Sequence, residues 1–299
     1  MEETIVKVDH LSHRYSVQWA IRDINFEVPK HGIYGLLGSN GAGKSTTMNI
    51  MCGVLRQSEG DVYIKGISMS KNPVEAKRHI GFLPQNPPLH MDLTVTEYLE
   101  YCAALRYIPD REIPQAVKKV LERCGISHFS KRLLRNLSGG YQQRVGIAQA
   151  IIHNPDFVVL DEPTNGLDPQ AVIDLRKKLL DIRNDGTSIL LSSHQLSEVD
   201  KLVDRIIFIK DGQLIAHKTI DELHQKHISC IKTSDNQYAQ KILKNYIVTN
   251  DNEYIRLECG SDNDFSNVIN LLVKNNISIY SIEDKGEGLE KYYQNLYQG

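Results

Sequence analysis

The sequence predicts an α/β fold: a mainly parallel β-sheet covered by helices, with an antiparallel β subdomain, a helical insertion and a small C-terminal α+β domain. Three observations support this prediction. Apolar strand-like runs alternate with helix-compatible segments up to about residue 220, a glycine-rich loop joins one run to the next helix, and the composition changes after about residue 224. Strands that alternate with helices are typical of a parallel sheet with both faces covered. The 299 residues leave room for such a core and a second domain.

The glycine-rich loop, residues 38–45, reads Gly-Ser-Asn-Gly-Ala-Gly-Lys-Ser and fits the pattern Gly-x-x-x-x-Gly-Lys-Ser. It follows the apolar run Ile33–Leu37 and precedes a helix predicted over residues 46–55. In this pattern backbone N–H groups and the positive helix end bind phosphates, the lysine reaches the β- and γ-phosphates, and the serine hydroxyl ligates Mg²⁺. The sequence therefore predicts a triphosphate-binding loop formed by Gly38, Ser39, Asn40, Gly41, Ala42, Gly43, Lys44, Ser45 and Thr46.

Composition and charge indicate which classes of protein the chain does not resemble. A net charge of −2 gives no surplus of positive charge for a polyanion, so nucleic acid is not expected as the main partner. The five cysteines never have C-x-x-C spacing, which favours reduced packing residues of a cytosolic protein over a disulfide or zinc framework. The N-terminus lacks signal-peptide character and no run approaches 18 apolar residues, so we expect no membrane span. Docking on a membrane protein remains compatible with these features.

The N-terminal segment predicts an antiparallel layer. Residues 4–8 and 22–28 alternate as strands do, and Tyr15 lies between them, 29 residues before Lys44. An aromatic side chain at this place can stack on adenine, and a half-buried strand tyrosine is the alternative. A turn and strand follow at residues 58–64, and a further strand over residues 80–85 ends on Gln85.

A helical insertion is predicted over residues 90–150. Thr94 and Glu97 have capping-box spacing, and residues 113–124 keep one apolar helical face until Gly125 closes it. The insertion ends at residues 136–144, Asn-Leu-Ser-Gly-Gly-Tyr-Gln-Gln-Arg, which open another helix.

Two later strands bring polar side chains to the sheet. The buried run Phe157–Leu160 ends in Asp161 and Glu162, and a strand over residues 187–192 delivers His194. A hairpin with an Asp-Gly turn follows at residues 206–215.

The acid pair is predicted at the sheet edge where open α/β sheets bind ligands. Since adjacent strand residues point to opposite sides, Asp161 is expected to hold the Mg²⁺ shell and Glu162 to orient or deprotonate the attacking water. Two solvated acids after a strand are the alternative.

Leu137, Ser138, Gly139 and Gly140 predict a second anion site at a helix start. It lies about 95 residues after the first loop and has no lysine. Because one domain needs only one site to hold ATP, we expect the second to face the γ-phosphate of a nucleotide bound to another copy. A plain turn with a helix cap is the alternative.

Together these motifs resemble the nucleotide-binding subunit of ABC transporters, in the family's order, over residues 4 to about 220. The likeness lies in Walker A at residues 38–45, the Q-loop at Gln85, the signature at residues 137–142, Walker B at residues 157–162, the D-loop at residues 166–168, the switch histidine His194 and the adenine-stacking Tyr15. The resemblance implies a P-loop NTPase core with ATP and Mg²⁺ as cofactors. It implies Lys44, Glu162 and His194 as catalytic residues, Ser45, Gln85 and Asp161 around the metal, and Asp168 with Ser138, Gly139 and Gly140 at the nucleotide.

The resemblance also implies partners and a location. We expect a second ATPase copy, as a homodimer or paired subunit, transmembrane permease subunits, and a peripheral position on the cytoplasmic face of the cell membrane. Tyr141 before Gln142 varies the signature, and Asn165-Gly166 in the D-loop is similar to the ABC-2-type exporter group, which favours export. The cargo stays open. A soluble ABC ATPase acting on ribosomes or DNA is the alternative, although the chain has neither two cassettes nor a long coiled-coil insertion.

The region after the ATPase domain, residues 225–299 following residues 1–224, predicts its own fold. Strands at residues 228–233, 253–259 and 277–283 alternate with helices at residues 236–245 and 264–275, and a last helix covers residues 289–297. This order predicts a split β-α-β module without a chemical motif. We expect a regulatory or dimer-stabilising domain, and a purely structural cap is the alternative.

Overall fold

The computed structural model describes residues 3–224, 227–244, 246–250, 254–259, 262–284 and 289–298. Two compact units divide the chain, Met1–His217 and Lys218–Gly299. The boundary predicted from the sequence adjoins residues 225 and 226, which lie outside the described residues.

From residue 3 to Thr219, two residues past the end of the first unit, the structure contains ten strands and seven α-helices. The strands are β1 (Thr4–Tyr15), β2 (Gln18–Pro29), β3 (Ile33–Leu37), β4 (Glu59–Ile64), β5 (Ile67–Ser68), β6 (Ile80–Leu83), β7 (Phe157–Leu160), β8 (Ser188–Ser192), β9 (Arg205–Lys210) and β10 (Gln213–Thr219). The helices are α1 (Lys44–Met51), α2 (Pro73–Arg78), α3 (Val95–Leu105), α4 (Ile113–Cys124), α5 (Gly139–Ile151), α6 (Pro169–Asn184) and α7 (Leu196–Val199).

These strands form two sheets around a shared core. The antiparallel sheet has the order β2-β1-β4-β5, and the larger sheet has the order β10-β9-β3-β8-β7-β6 with parallel pairing from β9 through β6. Apolar side chains of both sheets pack with Met48 and Met51 of α1 in one buried cluster. The helix that follows the glycine-rich loop is therefore anchored between the two sheets.

The second face of the larger sheet is also covered. Leu190 of β8 belongs to the shared core, whereas its neighbour Leu191 lines a small apolar cavity with Leu175 of α6 and Val199 of α7. Every residue of β3, β7 and β8 is buried. This arrangement confirms the predicted α/β fold with helices on both faces.

The helical insertion begins with the predicted capping box. The Thr94 hydroxyl accepts from the Glu97 N–H at 3.3 Å, and Glu97 Oε2 accepts from the Thr94 N–H at 2.8 Å. Gly125 closes α4 in the left-handed conformation with φ 67°. A Cβ at Gly81 of β6 would collide with the carbonyl oxygen of Ala150, so α5 packs directly on the sheet backbone.

Several predicted boundaries were wrong. Helix α1 covers Lys44–Met51 instead of residues 46–55, because Gly53 at φ 64° turns the chain away. Strand β6 ends at Leu83, which leaves Gln85 in the following loop. Strand β1 continues to Tyr15 instead of ending near residue 8.

The second unit contains a split β-α-β sheet of four strands. Its elements are α8 (Ile220–His224), β11 (His227–Thr233), α9 (Asn236–Ile242), β12 (Ile247–Asn250), β13 (Ile255–Cys259), α10 (Asp262–Lys274), β14 (Ile279–Asp284) and α11 (Leu289–Gln298). The order is β12-β13-β11-β14 with antiparallel pairing, and Ile231, Leu257 and Leu272 belong to its core. The sequence did not predict β12. Residues 245 and 253, the predicted ends of a helix and a strand, lie outside the described residues.

Four of the five cysteines lie among the residues whose burial is described. Cys52, Cys102, Cys124 and Cys230 are free and buried. Within the described ranges, no helix has the length and apolar character needed to cross a membrane.

Candidate active site

The glycine-rich loop connects β3 to α1, and two of its backbone carbonyls bind the side chain of Lys44. Lys44 Nζ donates to the carbonyl oxygens of Gly38 at 2.8 Å and Ser39 at 3.0 Å. Gly43 has φ 106°, and a Cβ there would collide with Ile21 of β2. A left-handed backbone pressed against a neighbouring strand is open only to glycine. The loop is thus fixed in shape by its glycines, with an ammonium group at its centre.

The hydroxyl-bearing residues differ in their surroundings. Ser45 is exposed in the first turn of α1, Thr46 is half-buried, and Thr47 Oγ1 is bonded to the Gly43 carbonyl at 2.9 Å. Ser45 is thus an exposed hydroxyl-bearing residue directly after Lys44, and its role at Mg²⁺ stays a prediction.

The acid pair lies at the end of β7. The Ser192 hydroxyl, at the end of β8, donates to Asp161 Oδ1 at 2.6 Å and accepts from the Glu162 N–H at 2.9 Å. Glu162 has φ 50°, which is uncommon for a residue with a Cβ. The premise that strand alternation separates the two carboxylates is wrong, because β7 ends at Leu160 and Glu162 adopts a left-handed conformation. The division of tasks between Asp161 and Glu162 stays a prediction.

Electrostatics connect this pair with the loop. Burial lowers the pKa of the Lys44 ammonium, and the negative charges of Glu162 and Asp161 act against that shift. Asp161 is only 5% exposed. The structure thus brings both predicted acids within electrostatic reach of Lys44.

His194 follows β8 and contacts Glu162. His194 Nδ1 lies 2.7 Å from Glu162 Oε2. The histidine side chain is 57% exposed, whereas the glutamate side chain is 11% exposed. His194 therefore covers the carboxylate from the solvent side. Its contact with a γ-phosphate stays a prediction.

The start of α5 is open to solvent. Ser138 is the N-cap residue, yet its side chain makes no capping hydrogen bond. A Cβ at Gly139 would meet no atom within 4 Å, and one at Gly140 would make only ordinary contacts, 3.5 Å from Leu167 and 3.8 Å from Ala171. Packing within the chain does not require either glycine, in contrast to Gly81. A ligand that approaches the backbone would require both.

Neighbouring side chains hold this helix start in place. Gln142 Nε2 donates to the carbonyls of Leu134 and Leu137, both at 3.2 Å. The Tyr141 ring packs edge-on against Phe129, with ring centroids 4.4 Å apart. Tyr141, the departure from the usual signature, therefore supports the helix from the side.

Three other predicted site residues lie in less constrained places. Tyr15 is 54% exposed at the end of β1, edge-on to His13. Gln85 is exposed in the loop after β6. Asp168 accepts from the Ala171 N–H at 2.9 Å and so caps α6. Within the described part of the chain, no hydrogen bond joins these three residues to the glycine-rich loop, and their roles at the nucleotide stay predictions.

The sequence prediction missed Ser192 and Gln143. Gln143 Nε2 donates to the Pro163 carbonyl at 3.0 Å and ties α5 to the turn after Glu162. Ser192 has a sequence signal, since it ends a strand that delivers a functional residue two positions later. Gln143 has none.

Comparison with known proteins decides the family. A family model described as ABC transporter matches residues 21–165. The Bacitracin transport ATP-binding protein BcrA of Bacillus licheniformis is 32% identical over 306 residues, an alignment that covers 99% of this chain and 98% of BcrA. The chain belongs to the ATP-binding subunits of ABC transporters.

Two further matches describe what this ABC subunit is similar to. The Lantibiotic transport ATP-binding protein SrtF of Streptococcus pyogenes is 34% identical over 217 residues, which cover 73% of this chain and 92% of SrtF. The solved dimeric structure of the ATP-binding cassette MJ0796, in a post-hydrolysis state bound to ADP and Pi, has a TM-score of 0.66 and 27% identity. The matched region covers 72% of this chain and 98% of the cassette. The ABC subunit is therefore a transporter ATPase, and a role on ribosomes or DNA is not favoured.

Proposed function

We propose that two copies of this ABC subunit close around two ATP molecules, each held between residues 38–46 of one copy and Ser138–Gly140 of the other. The observation that carries the proposal is the open start of α5. Its serine hydroxyl has no capping role and its glycines have no packing role within the chain. A helix N-terminus with free N–H groups favours an anion, and the γ-phosphate of the partner copy's ATP is the anion that this arrangement suits.

Within one copy, the side chains divide the remaining tasks. Tyr15 stacks on adenine, and its exposed ring at the end of β1 is available for that. Lys44 exchanges the loop carbonyls for phosphate oxygens, Glu162 orients or deprotonates the attacking water, and His194 holds the γ-phosphate. Asp168, in the D-loop, contributes to nucleotide binding.

The residues present suit Mg²⁺. Asp161 Oδ1 accepts a hydrogen bond from the Ser192 hydroxyl, and among the described residues no donor is bonded to Oδ2. Ser45, directly after Lys44 in the chain, is exposed. Hard oxygen ligands of this kind are those Mg²⁺ prefers. Asp161 and Ser45 would hold the ion with Gln85 from its loop, and the ion would neutralise charge on the β- and γ-phosphates.

A groove between the sheet and the helical insertion is our candidate for the permease contact. Its volume is about 1150 Å³, and residues of α2, β6 and α4 line it. Four exposed apolar side chains line the groove: Val54, Val74, Leu105 and Tyr107. A helical segment of a transmembrane partner would cover them and hold the ABC subunit at the cytoplasmic face of the membrane. Because BcrA and SrtF are named for bacitracin and lantibiotic transport, peptide antibiotics are the cargo class to test first, with export as the direction.

Substitution Glu162→Gln tests the closure step. The amide keeps the shape of the side chain but cannot accept a proton, so hydrolysis should fall about 100-fold or more while ATP stays bound. Gel filtration with ATP and Mg²⁺ should then show a dimer that the wild type, which hydrolyses its ATP, does not accumulate.

The control is Glu122→Gln, an exposed glutamate of α4 that belongs to none of the predicted site motifs. It should hydrolyse ATP at the wild-type rate without accumulating a dimer. A Glu162→Gln protein that stays monomeric and turns over at the wild-type rate would refute both the closure and the role of Glu162.

A further inference from the structure

Ser192 connects the two carboxylates of the active site. Its side chain is fully buried at the end of β8. Its hydroxyl donates to Asp161 Oδ1 at 2.6 Å and accepts from the Glu162 N–H at 2.9 Å. Leu160 of β7 is paired with Leu191 of β8, so parallel register places Ser192 beside the point where β7 ends. One hydroxyl thus contacts the proposed metal ligand and the backbone of the proposed catalytic glutamate.

We propose that Ser192 is a positioning residue that sets the orientation of the Asp161 carboxylate and the turn at Glu162. Donation to Oδ1 fixes the rotation of the carboxylate and leaves Oδ2 for a cation. Acceptance from the Glu162 N–H supports a backbone at φ 50°, a conformation that costs energy for a residue with a Cβ. This turn directs Glu162 toward His194 Nδ1, 2.7 Å away.

A second buried serine of the same strand provides the comparison. Ser188 begins β8, is 1% exposed, and accepts from the His31 N–H at 3.0 Å. This hydrogen bond is to backbone, and Ser188 lies at the opposite end of the strand from the acids. Loss of either hydroxyl should lower thermal stability, whereas only loss of the Ser192 hydroxyl should alter the response to Mg²⁺.

The experiment compares Ser192→Thr with Ser192→Val, which have nearly the same size and differ in the hydroxyl, together with Ser192→Ala and Ser188→Ala. For each protein we measure kcat, KM for ATP and the Mg²⁺ concentration that gives half-maximal hydrolysis. A readout independent of turnover is the rise in Tm that ATP produces with Mg²⁺ minus the rise without it.

We expect Ser192→Val and Ser192→Ala to lower kcat and raise the Mg²⁺ requirement, each by about 10- to 100-fold, as for loss of a hydrogen-bond partner of a metal ligand. In both variants the Mg²⁺-dependent part of the rise in Tm should also be smaller than in the wild type. Ser192→Thr should keep most of the wild-type values, and Ser188→Ala should keep the wild-type Mg²⁺ response.

The inference rests on the proposed roles of Asp161 and Glu162. The Mg²⁺ dependence of the wild-type protein distinguishes failure of the proposed function from failure of the positioning role. If wild-type hydrolysis does not depend on Mg²⁺, the proposed function fails. If it does, but Ser192→Val responds to Mg²⁺ as Ser188→Ala does, the positioning role alone is refuted. Equal losses in Ser192→Thr and Ser192→Val would also refute it, because the loss would then follow side-chain size.

Discussion

Lys44 is expected to exchange its hydrogen-bond partners when ATP binds. Its ammonium donates to the carbonyls of Gly38 and Ser39, and burial lowers its pKa. Phosphate oxygens would replace these neutral acceptors with charged ones, which form hydrogen bonds about twice as strong. Much of the binding energy of the loop is therefore expected to depend on this side chain.

Lys44→Ala should lower ATP affinity about 100-fold or more and abolish hydrolysis, since two charge-assisted contacts of about 1.5 to 3 kcal/mol each are lost. Titration of a fluorescent ATP analogue measures the affinity. Lys7→Ala serves as control, because Lys7 is a half-exposed lysine paired with Asp9. Unchanged affinity and turnover in Lys44→Ala would rule out the loop as the nucleotide site.

The sequence predicts which residue types form the candidate site, but it does not predict all of their geometry. Gly38–Ser45, Asp161, Glu162 and His194 belong to patterns whose chemistry can be read from residue type and spacing. The left-handed turn at Glu162 and its contact with Ser192 could not be predicted, because they depend on where β7 ends beside β8. A hydrogen bond between two strand ends has no local sequence pattern.

Element prediction succeeded where local signals were complete. The capping box at Thr94, the left-handed Gly125 and the Asp211-Gly212 turn, with φ 50° and 76°, all form as predicted. Helix α1 starts earlier and ends earlier than its apolar pattern suggests, because glycines on both sides set its limits. Strand β12 has four residues and forms by pairing with β13. Its own sequence is too short to predict a strand.

Asp156 joins elements of both sheets. It lies just before β7, and its carboxylate contacts Lys65 Nζ, in the turn between β4 and β5, at 2.9 Å and His79 Nδ1, next to β6, at 2.7 Å. Burial acts to raise the pKa of Asp156, but hydrogen bonds from Lys65 and His79 outweigh it and hold the pKa below its usual value. The contacts therefore favour the charged form in the folded protein.

This shift predicts a pH-dependent contribution to stability. Because the folded-state pKa is lowered, the contribution is present above the unfolded-state pKa, near 3.8, and is lost as the pH falls through the folded-state pKa. Asp156→Asn should lower the free energy of unfolding by at most about 1 kcal/mol at neutral pH, since the side chains are partly exposed. Urea unfolding at several pH values should show the difference from wild type disappearing in acid. An unchanged difference at low pH would contradict the assignment.

At the scale of the whole molecule, the chain divides into two compact units, and we expect the ATPase chemistry to lie in the first. The second unit has its own sheet and core. The alignment with SrtF covers 73% of this chain, whereas the alignment with BcrA covers 99% of it. A regulatory or dimer-stabilising role would act through a difference in contacts between open and closed states.

Truncation after Thr219 keeps β10 complete and removes the unit from α8 onward. ATP affinity should stay as in the full chain, while the protein concentration at which hydrolysis becomes cooperative should shift. ATPase assays over a range of protein concentrations, with and without the membrane partner, measure this. An unchanged concentration dependence and maximal rate would favour the structural cap.

The central claim is that each ATP site is built from two copies, and mixing two inactive variants tests it most directly. Lys44→Ala removes the phosphate lysine, and Gly140→Asp places a bulky anion at the open start of α5, so each protein alone should lack hydrolysis. In a mixed dimer, the loop of the Gly140→Asp copy meets the intact Ser138–Gly140 of the Lys44→Ala copy, which restores one complete site. We predict that Gly140→Asp alone still binds ATP as a monomer, and that mixing recovers a substantial fraction of wild-type hydrolysis, up to about a quarter for random pairing of equal amounts. Loss of monomer ATP binding in Gly140→Asp, together with no recovery on mixing, would contradict the claim and place the second anion site in the same copy.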